Sequence, residues 1–449
     1  MLIYDYDLIY DAYYGTNGFN NGGYLIKHKR ETDEDYATRQ ENAYYLNYFS
    51  SITNSLVTPI FKKPAVRDWN GAKKFMDVFV QDIDGNKTPI AEFMKRAALK
   101  AKLYGSCFIV VDNFSTYQED ETVADVLRNR KIPYAFCLTP QQIISYEADK
   151  IGIITSIDFQ DVKKISSNTD KYYSMHFDKT SWKRYDDKNI YETGTHNLGR
   201  VPVTVLTCKQ LEDMTLTPPP ELLSLAEVAK AIYNTTSWLM EIFRSVTFPL
   251  LTIPSLDAKN IIIGNNNALG YEPEYSHEPN FIAPPSDPAN VLKEHILDLV
   301  QEMYRMAGLS FVTGTKTDTS GVSKQWDFER LNQQLADFAQ NIQRVEVDLI
   351  NIFSLWINQQ IEYNVSYPND FNISDIAYEL ENAQAILDLN LSDELREDVL
   401  KKVLTICFPD MDTLRFDEVV SSLKEEQKNK IQSNLSKNIP INDDDTGDG

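Results

Sequence analysis

The 449-residue sequence is poor in cysteine and histidine and has no long apolar run. Its four cysteines, Cys107, Cys137, Cys208 and Cys407, are widely separated and form no Cys-x-x-Cys pair. None falls at metal-ligand spacing with the five histidines, so neither a disulfide framework nor a zinc site is expected, and the thiols read as reduced core residues. The N-terminal stretch Met1 to Tyr14 carries Asp5, Asp7 and Asp11 among its tyrosines, where a secretory signal needs a basic start and a continuous apolar segment; no export is expected. The longest apolar runs, such as Phe248 to Leu251 and Ile261 to Ile263, fall far short of the roughly 20 residues that span a bilayer, so no membrane partner is expected. Positive charge is also in deficit, with 44 Lys and Arg against 66 Asp and Glu, a formal net charge of −22. That excess excludes a surface that grips nucleic acid by counterion release. It is compatible with a duplex passing without adhering, because like charges repel over a Debye length of roughly 8 Å.

Catalytic constellations are missing too. His28, His176, His196, His277 and His295 fall in different predicted elements, and no Ser/His/Asp or Cys/His arrangement can be assembled from local spacing. The acidic clusters Glu119-Asp120-Glu121 and Asp186-Asp187 read as solvated turns. Gly308 to Thr317 superficially resembles a phosphate-cradling loop. However, five residues separate Gly308 from Gly314, Thr315 displaces Lys316 from the glycine, and no strand precedes the segment. No catalytic, cofactor-binding or metal-binding residue is expected, and the chain reads as a non-enzyme.

What is present is an α+β pattern with long rods. Thr32 and the acidic turn Asp33 to Asp35 introduce a helix predicted to carry Tyr45, Phe49, Ile52 and Leu56 on one face. A second helix is predicted over Ile90 to Tyr104, running through Gly105 into a buried strand, Cys107 to Val111. Short strands follow at Ala135 to Leu138, Ile151 to Phe159, Tyr172 to Phe177, Ser181 to Tyr185 and Val201 to Cys208. Pro218 to Pro220 mark a boundary before a rod with Leu222, Ala226, Ala229, Tyr233, Thr236, Met240 and Phe243 on its face. A β-like excursion, with candidate strands Leu250 to Ile253, Ile261 to Ile263 and Asn280 to Ala283, separates it from a helix of about five turns beginning near Pro288.

Gly308 ends that helix, and a polar loop from Thr313 to Gly321 carries threonines at alternate positions. From Ser323 to Glu362 one long helix is predicted. Its apolar residues Phe328, Leu331, Leu335, Phe338, Ile342, Val345, Leu349, Ile352 and Trp356 recur at heptad spacing and call for a long partner surface. Polar helices are predicted at Ile376 to Leu389, Asp393 to Ile406 and Phe416 to Ile431, ahead of a disordered acidic tail. Tyr6, Tyr10, Tyr13, Tyr14, Trp326 and Trp356 are candidate subunit contacts.

This order of elements resembles the portal proteins of tailed double-stranded DNA bacteriophages. The resemblance spans most of the chain. It is carried by Tyr24-Leu25…Arg30-Glu31…Tyr36…Arg39…Ala43-Tyr44…Asn47, by Leu198-Gly199-Arg200-Val201-Pro202-Val203, by Leu222-Leu223-Ser224-Leu225-Ala226 and by Ser320-Gly321-Val322. It implies an α+β portal fold: a wing over 1–220, stem helices over 221–247 and 286–307, and a small clip over 248–285. A channel loop over 308–322, a long wing helix over 323–363 and a helical crown over 364–449 would complete it. It further implies a homo-oligomeric ring of about a dozen subunits at one capsid vertex of the virion, assembled in the host cytoplasm. Double-stranded DNA would pass non-specifically through that ring. The implied partners are the terminase large subunit, the major capsid protein and a head-completion or adaptor protein. By the same resemblance Thr313, Thr315, Lys316, Thr317, Asp318, Thr319 and Ser320 would face the DNA channel, and Asn265, Asn266, Asn267, Tyr271, Glu272 and Tyr275 would form the partner-binding part of the clip. A coiled-coil scaffold or adaptor without a channel is the other reading the heptad stripe allows.

Overall fold

In the computed structural model the described residues are 4–113, 123–150, 152–166, 169–186, 189–209, 215–247, 250–254, 262–263, 266–271, 278–282, 285, 287–309, 321–369 and 371, with isolated positions beyond. The chain separates into two units, Met1–Phe371 and Asn372–Gly449. In the second unit only scattered positions are described, all helical; Leu395, Lys401 and Ser422 lie within the predicted helices Asp393 to Ile406 and Phe416 to Ile431, whereas the predicted helix Ile376 to Leu389 and the acidic tail lie outside the described residues.

The first unit opens with α1 (Tyr6–Tyr14), capped by the Asp5 carboxylate, which accepts from Leu8 N at 2.9 Å, and stopped by Gly15 at φ +67°. The single helix expected after Thr32 is two: α2 (Asp33–Asn42) and α3 (Tyr48–Ser55). Ala43 is extended, and the Asn47 side chain starts a new helix by accepting from Ser50 N at 2.8 Å. The break frees Tyr45 to stack on Phe19 with ring centroids 4.0 Å apart and to donate to Ala12 O.

After β1 (Val66–Asn70) and α4 (Lys73–Gln81), α5 (Ile90–Tyr104) turns at Gly105 into β2 (Ser106–Asp112). A Cβ at Gly105, where φ is +86°, would stand 2.6 Å from Pro218 O, so this turn admits only glycine without strain. Then come α6 (Val123–Arg128), β3 (Tyr134–Leu138), β4 (Ile143–Ala148), β5 (Ile154–Ser166), β6 (Thr169–Asp178), β7 (Ser181–Tyr185), β8 (Ile190–Thr195) and β9 (Val203–Thr207). Strands β3, β2 and β9 form an antiparallel sheet in that order, and β4 to β8 form a five-stranded antiparallel meander. Strand β2 is apolar from Cys107 to Val111, and both its faces are covered. Cys107, Ile109 and Val111 enter the main core with α5 and the long helix, while Phe108 and Val110 enter a second core with Ile143, Ile157, Phe159 and Phe177 of the meander.

Helix α7 (Leu223–Thr247) leads to a four-stranded sheet of order β11-β12-β10-β13: β10 (Leu250–Pro254), β11 (Ile262–Ile263), β12 (Asn266–Tyr271) and β13 (Asn280–Ile282). Strands β10 and β12 run parallel. Helix α8 (Asp287–Met306) packs back against α7, and α9 (Gly321–Ile357) follows. The long helix stops five residues short of the expected Glu362: Asn358 takes φ +49°, and Glu362–Ser366 form β14, antiparallel to β1. Residues 364–366, expected to open a helical crown, thus belong to a strand of the first unit.

The heptad stripe is filled within the chain. Leu331, Leu335, Phe338, Ile342, Val345, Leu349 and Ile352 are buried in the main core, where α9 meets β9, β2, β14 and α5. An amphipathic helix laid on a sheet buries a stripe of similar spacing to a coiled-coil seam, and periodicity alone does not separate the two.

Candidate assembly interface

The N-terminal motif residues act inward. The Glu31 carboxylate holds Arg39 through Nε at 2.7 Å and Nη2 at 2.8 Å. Arg39 in turn donates to Ser237 Oγ of α7 and Ile26 O. The hydrogen bonds from Arg39 hold Glu31 below the usual carboxylate range, against the opposing effect of burial. Tyr36 donates to Leu25 O, Tyr24 to the Asp11 carboxylate at 2.7 Å, and Asn234 of α7 bridges Ile26 N and Tyr24 O. These contacts strap residues 24–39 onto α7. The second motif does similar work: Gly199 turns at φ +70°, and Arg200 makes a two-pronged pair with Asp348 of α9 at 2.7 and 2.9 Å. In the third, Leu222, Leu225 and Ala226 are buried where α7 enters the core.

Long helix α9 is fixed by a cluster that gave no signal in the sequence. Glu346 is fully buried, accepts from Arg67 Nε at 2.7 Å and Nη2 at 3.1 Å, and receives the hydroxyls of Tyr363 and Tyr367. Burial opposes the charge on Arg67, yet the Glu346 carboxylate holds its pKa above the ordinary guanidinium value. Burial first, and Glu346 next, push both tyrosines up. Trp356, expected at a subunit contact, instead donates from Nε1 to Val111 O at 2.8 Å within the chain, because β2 leaves that carbonyl facing the helix. The Trp326 side chain lies outside the described residues. Of the N-terminal tyrosines, Tyr6 packs on Tyr104 and Tyr13 donates to Asn54, whereas Tyr10 and Tyr14 remain exposed.

The α7–α8 pair carries some of the exposed apolar residues of the first unit. Leu225, Ala229, Ile232 and Thr236 form a buried stripe on α7. Phe243, about five turns beyond Leu225, continues that stripe where the helix leaves the body, and it is exposed. On α8, Ala289, Ile296 and Met303 mark the line buried toward α7. Val291 and Leu297 are 65% and 59% exposed. At about 100° per residue they project roughly 120° apart, one on each flank of that buried line. Phe281 and Ile282 of β13 add apolar surface on the adjoining sheet. His295 is also exposed on α8.

All seven predicted channel-loop residues, Thr313, Thr315, Lys316, Thr317, Asp318, Thr319 and Ser320, lie outside the described residues. Their flanks are described: α8 ends at Gly308, φ +72°, Leu309 is buried, and Gln334 of α9 stands beside Gly308. Because Gln334 lies thirteen residues into α9, the helix start sits about 20 Å further along its axis. Of the predicted clip residues, Asn266, Asn267 and Tyr271 belong to β12, with Asn267 opposite Ile262 and Asn266 opposite Ile263. Asn265, Glu272 and Tyr275 lie outside the described residues.

Among the described residues no group of three or more His, Cys, Asp or Glu is placed to hold a metal ion, and no helix is long and apolar enough to cross a membrane. No protein-family model matches the sequence, and no curated protein matches it. Among solved structures, the chain is similar to one from the neck of an empty gene transfer agent (GTA) particle computed with C6 symmetry and to one from the virion of the native GTA particle. Each is 12% identical, with a TM-score of 0.43, over 78% of this chain and 88% of the other. A chain from the neck of the native GTA particle computed with C12 symmetry is similar over the same shares, at 11% identity and a TM-score of 0.43. Similarity at this level does not assign the chain to a family.

Proposed function

We propose that the chain is the subunit of a portal-type ring: a homo-oligomer of about a dozen copies that forms a conduit for double-stranded DNA at one vertex of a phage capsid. The observation that supports this best is the two-flanked apolar surface of the α7–α8 pair. A two-fold dimer uses one self-complementary patch, whereas a closed ring needs two different patches on each subunit, left and right. Val291 and Leu297 on opposite flanks of α8 suit the second arrangement. The coiled-coil scaffold loses its basis, because the α9 stripe on which it rests is already buried in the chain's own core.

In such a ring the α7–α8 pairs would stand side by side and carry the β10–β13 sheets as the clip, where terminase and later head-completion proteins would dock. The loop between α8 and α9 would meet the passing duplex. Lys316 would present repeated cations to the phosphates and Asp318 anions beside them. An exposed ion pair at about 4 Å gains only about 1 kcal/mol, weak enough for the duplex to slide. Such contacts follow the backbone without reading bases. The role is one of passage and docking, without catalysis.

Native mass measurement and negative-stain imaging of the purified full chain test the reading. A closed ring is expected, and Val291→Asp combined with Leu297→Asp is expected to yield folded monomers. A discrete dimer as the largest species would overturn it. Within a ring-forming chain, unchanged DNA packaging after Lys316→Ala and shortening of the loop would remove the channel role of 313–320.

A further inference from the structure

A cavity of about 790 Å³ lies between the body and the five-stranded meander, away from the α7–α8 pair. Its size falls within the roughly 300–1,000 Å³ typical of small-molecule sites. One wall is aromatic: Phe136 of β3 lies 6.0 Å from Tyr134 and 6.1 Å from Phe159 of β5, centroid to centroid. Three cations line the same space in a chain whose net charge is −22: Arg96 and Lys100, one helical turn apart on α5, and Arg184 of β7.

The carboxylates that line the cavity already have partners. Asp84 meets Arg96 at 3.3 Å, and Asp112 accepts from Tyr134 at 3.1 Å. Arg184 pairs with Glu192. Lys100 is different. It is half-buried, donates to Cys137 O at 3.1 Å, and among the described residues has no carboxylate within ion-pair distance. An ammonium withdrawn from water with N–H groups to spare is stabilised by an anion placed beside it. An aromatic wall facing Lys100, with Arg96 one turn away and already paired with Asp84 and Glu92, is complementary to a ring that bears an acidic group.

We propose that this cavity binds a small aromatic anion, its ring against Phe136 and Phe159 and its charged group on Lys100 and Arg96. The assignment does not depend on ring assembly. Cys137 lines the cavity and supplies a reporter. A hydrogen bond from the Cys107 thiol holds the Cys137 pKa below the ordinary thiol value against the effect of burial, with Lys100 and Arg96 adding to the lowering; burial pushes Cys107 up.

The test is alkylation of the full-length chain by iodoacetamide, read peptide by peptide by mass spectrometry, with phenyl phosphate as probe. Saturable protection of Cys137 is expected, with Cys208 unaffected as an internal control. Inorganic phosphate and phenol are each expected to protect at least about tenfold less well, since each supplies half of the recognition. Lys100→Gln should weaken protection by about tenfold. If that variant does not fold, as judged by circular dichroism, Arg96→Gln at the cavity rim decides in its place. Absence of saturation up to about 10 mM phenyl phosphate, equal protection by inorganic phosphate, or protection unchanged in the folded variant would each overturn the proposal.

Discussion

Removing Arg67 isolates one effect of large size. Glu346 has no exposed surface, and the Arg67 side chain that neutralises it is 11% exposed, so Arg67→Leu leaves a carboxylate in the core with only two tyrosine hydroxyls for company. Breaking one side of a buried pair costs about 3–5 kcal/mol, most of it the stranded charge. The cost should appear locally, because Arg67 lies on β1, Tyr363 on β14 and Glu346 on α9. Hydrogen exchange at the β1–β14 amides is the suitable assay: protection there should fall by roughly 10² to 10⁴-fold, with the meander little changed. Arg67→Leu with Glu346→Leu should recover part of the loss, leaving two hydroxyls unsatisfied at about 1–3 kcal/mol each; adding Tyr363→Phe and Tyr367→Phe should recover most of it. Unchanged exchange in the single variant, or a fourfold variant no better than the single, would refute the argument that the charge, rather than the packing, holds the cluster.

Other perturbations have equally definite outcomes. Gly105→Ala forces a side chain into left-handed backbone and against Pro218 O, so a loss of about 1–3 kcal/mol or more is expected in urea unfolding followed by tryptophan fluorescence. His196, buried between Phe177 and Trp356 with ring centroids 6.2 and 5.8 Å away, has its pKa lowered from 6.5 chiefly by burial. Its neutral form is therefore the one that packs. The stabilisation is complete above the unfolded value near 6.5 and is lost as pH falls through the lower folded value, so protection in β8, taken relative to intrinsic exchange at each pH, should fall on acidification, and His196→Phe should remove that dependence. Glu31 is lowered from 4.5 by Arg39, so its contribution is present above 4.5 and lost as pH falls through the depressed value. Limited proteolysis should open the 24–39 strap in that acid range in the native chain, and at neutral pH in Arg39→Ala.

Periodicity made the rods legible. Helix α5 and strand β7 have the limits expected from the sequence, α7 starts two residues later than expected and α8 differs by one residue at each end, because caps, prolines and apolar spacing are local signals. The strands β1, β4, β8, β12 and β14 were not read. Strand β8 is largely exposed and mixed in sequence, and β1 and β14 find each other only in three dimensions. The break at Ala43 was hidden because Tyr45 fits a helical stripe as well as it fits its real place on Phe19. Of the site, the motif residues Glu31, Arg39 and Arg200 could be picked out without revealing that they bind inward. Glu346 was invisible, since a lone glutamate beside Val345 looks like any solvated helix position until Arg67 arrives from far along the chain.

The pairing of β1 with β14 joins residues 292 to 300 positions apart, from Asn70 with Glu362 to Val66 with Ser366. A nascent chain emerging from the ribosome therefore holds Val66–Asn70 as an open edge until almost the whole first unit has been synthesised, at about 5–20 residues per second. During those tens of seconds the edge is a template for any passing strand, a neighbour's as readily as its own. Closure from so far along the chain then acts as a timer: the first unit is complete only once synthesis has passed Ser366.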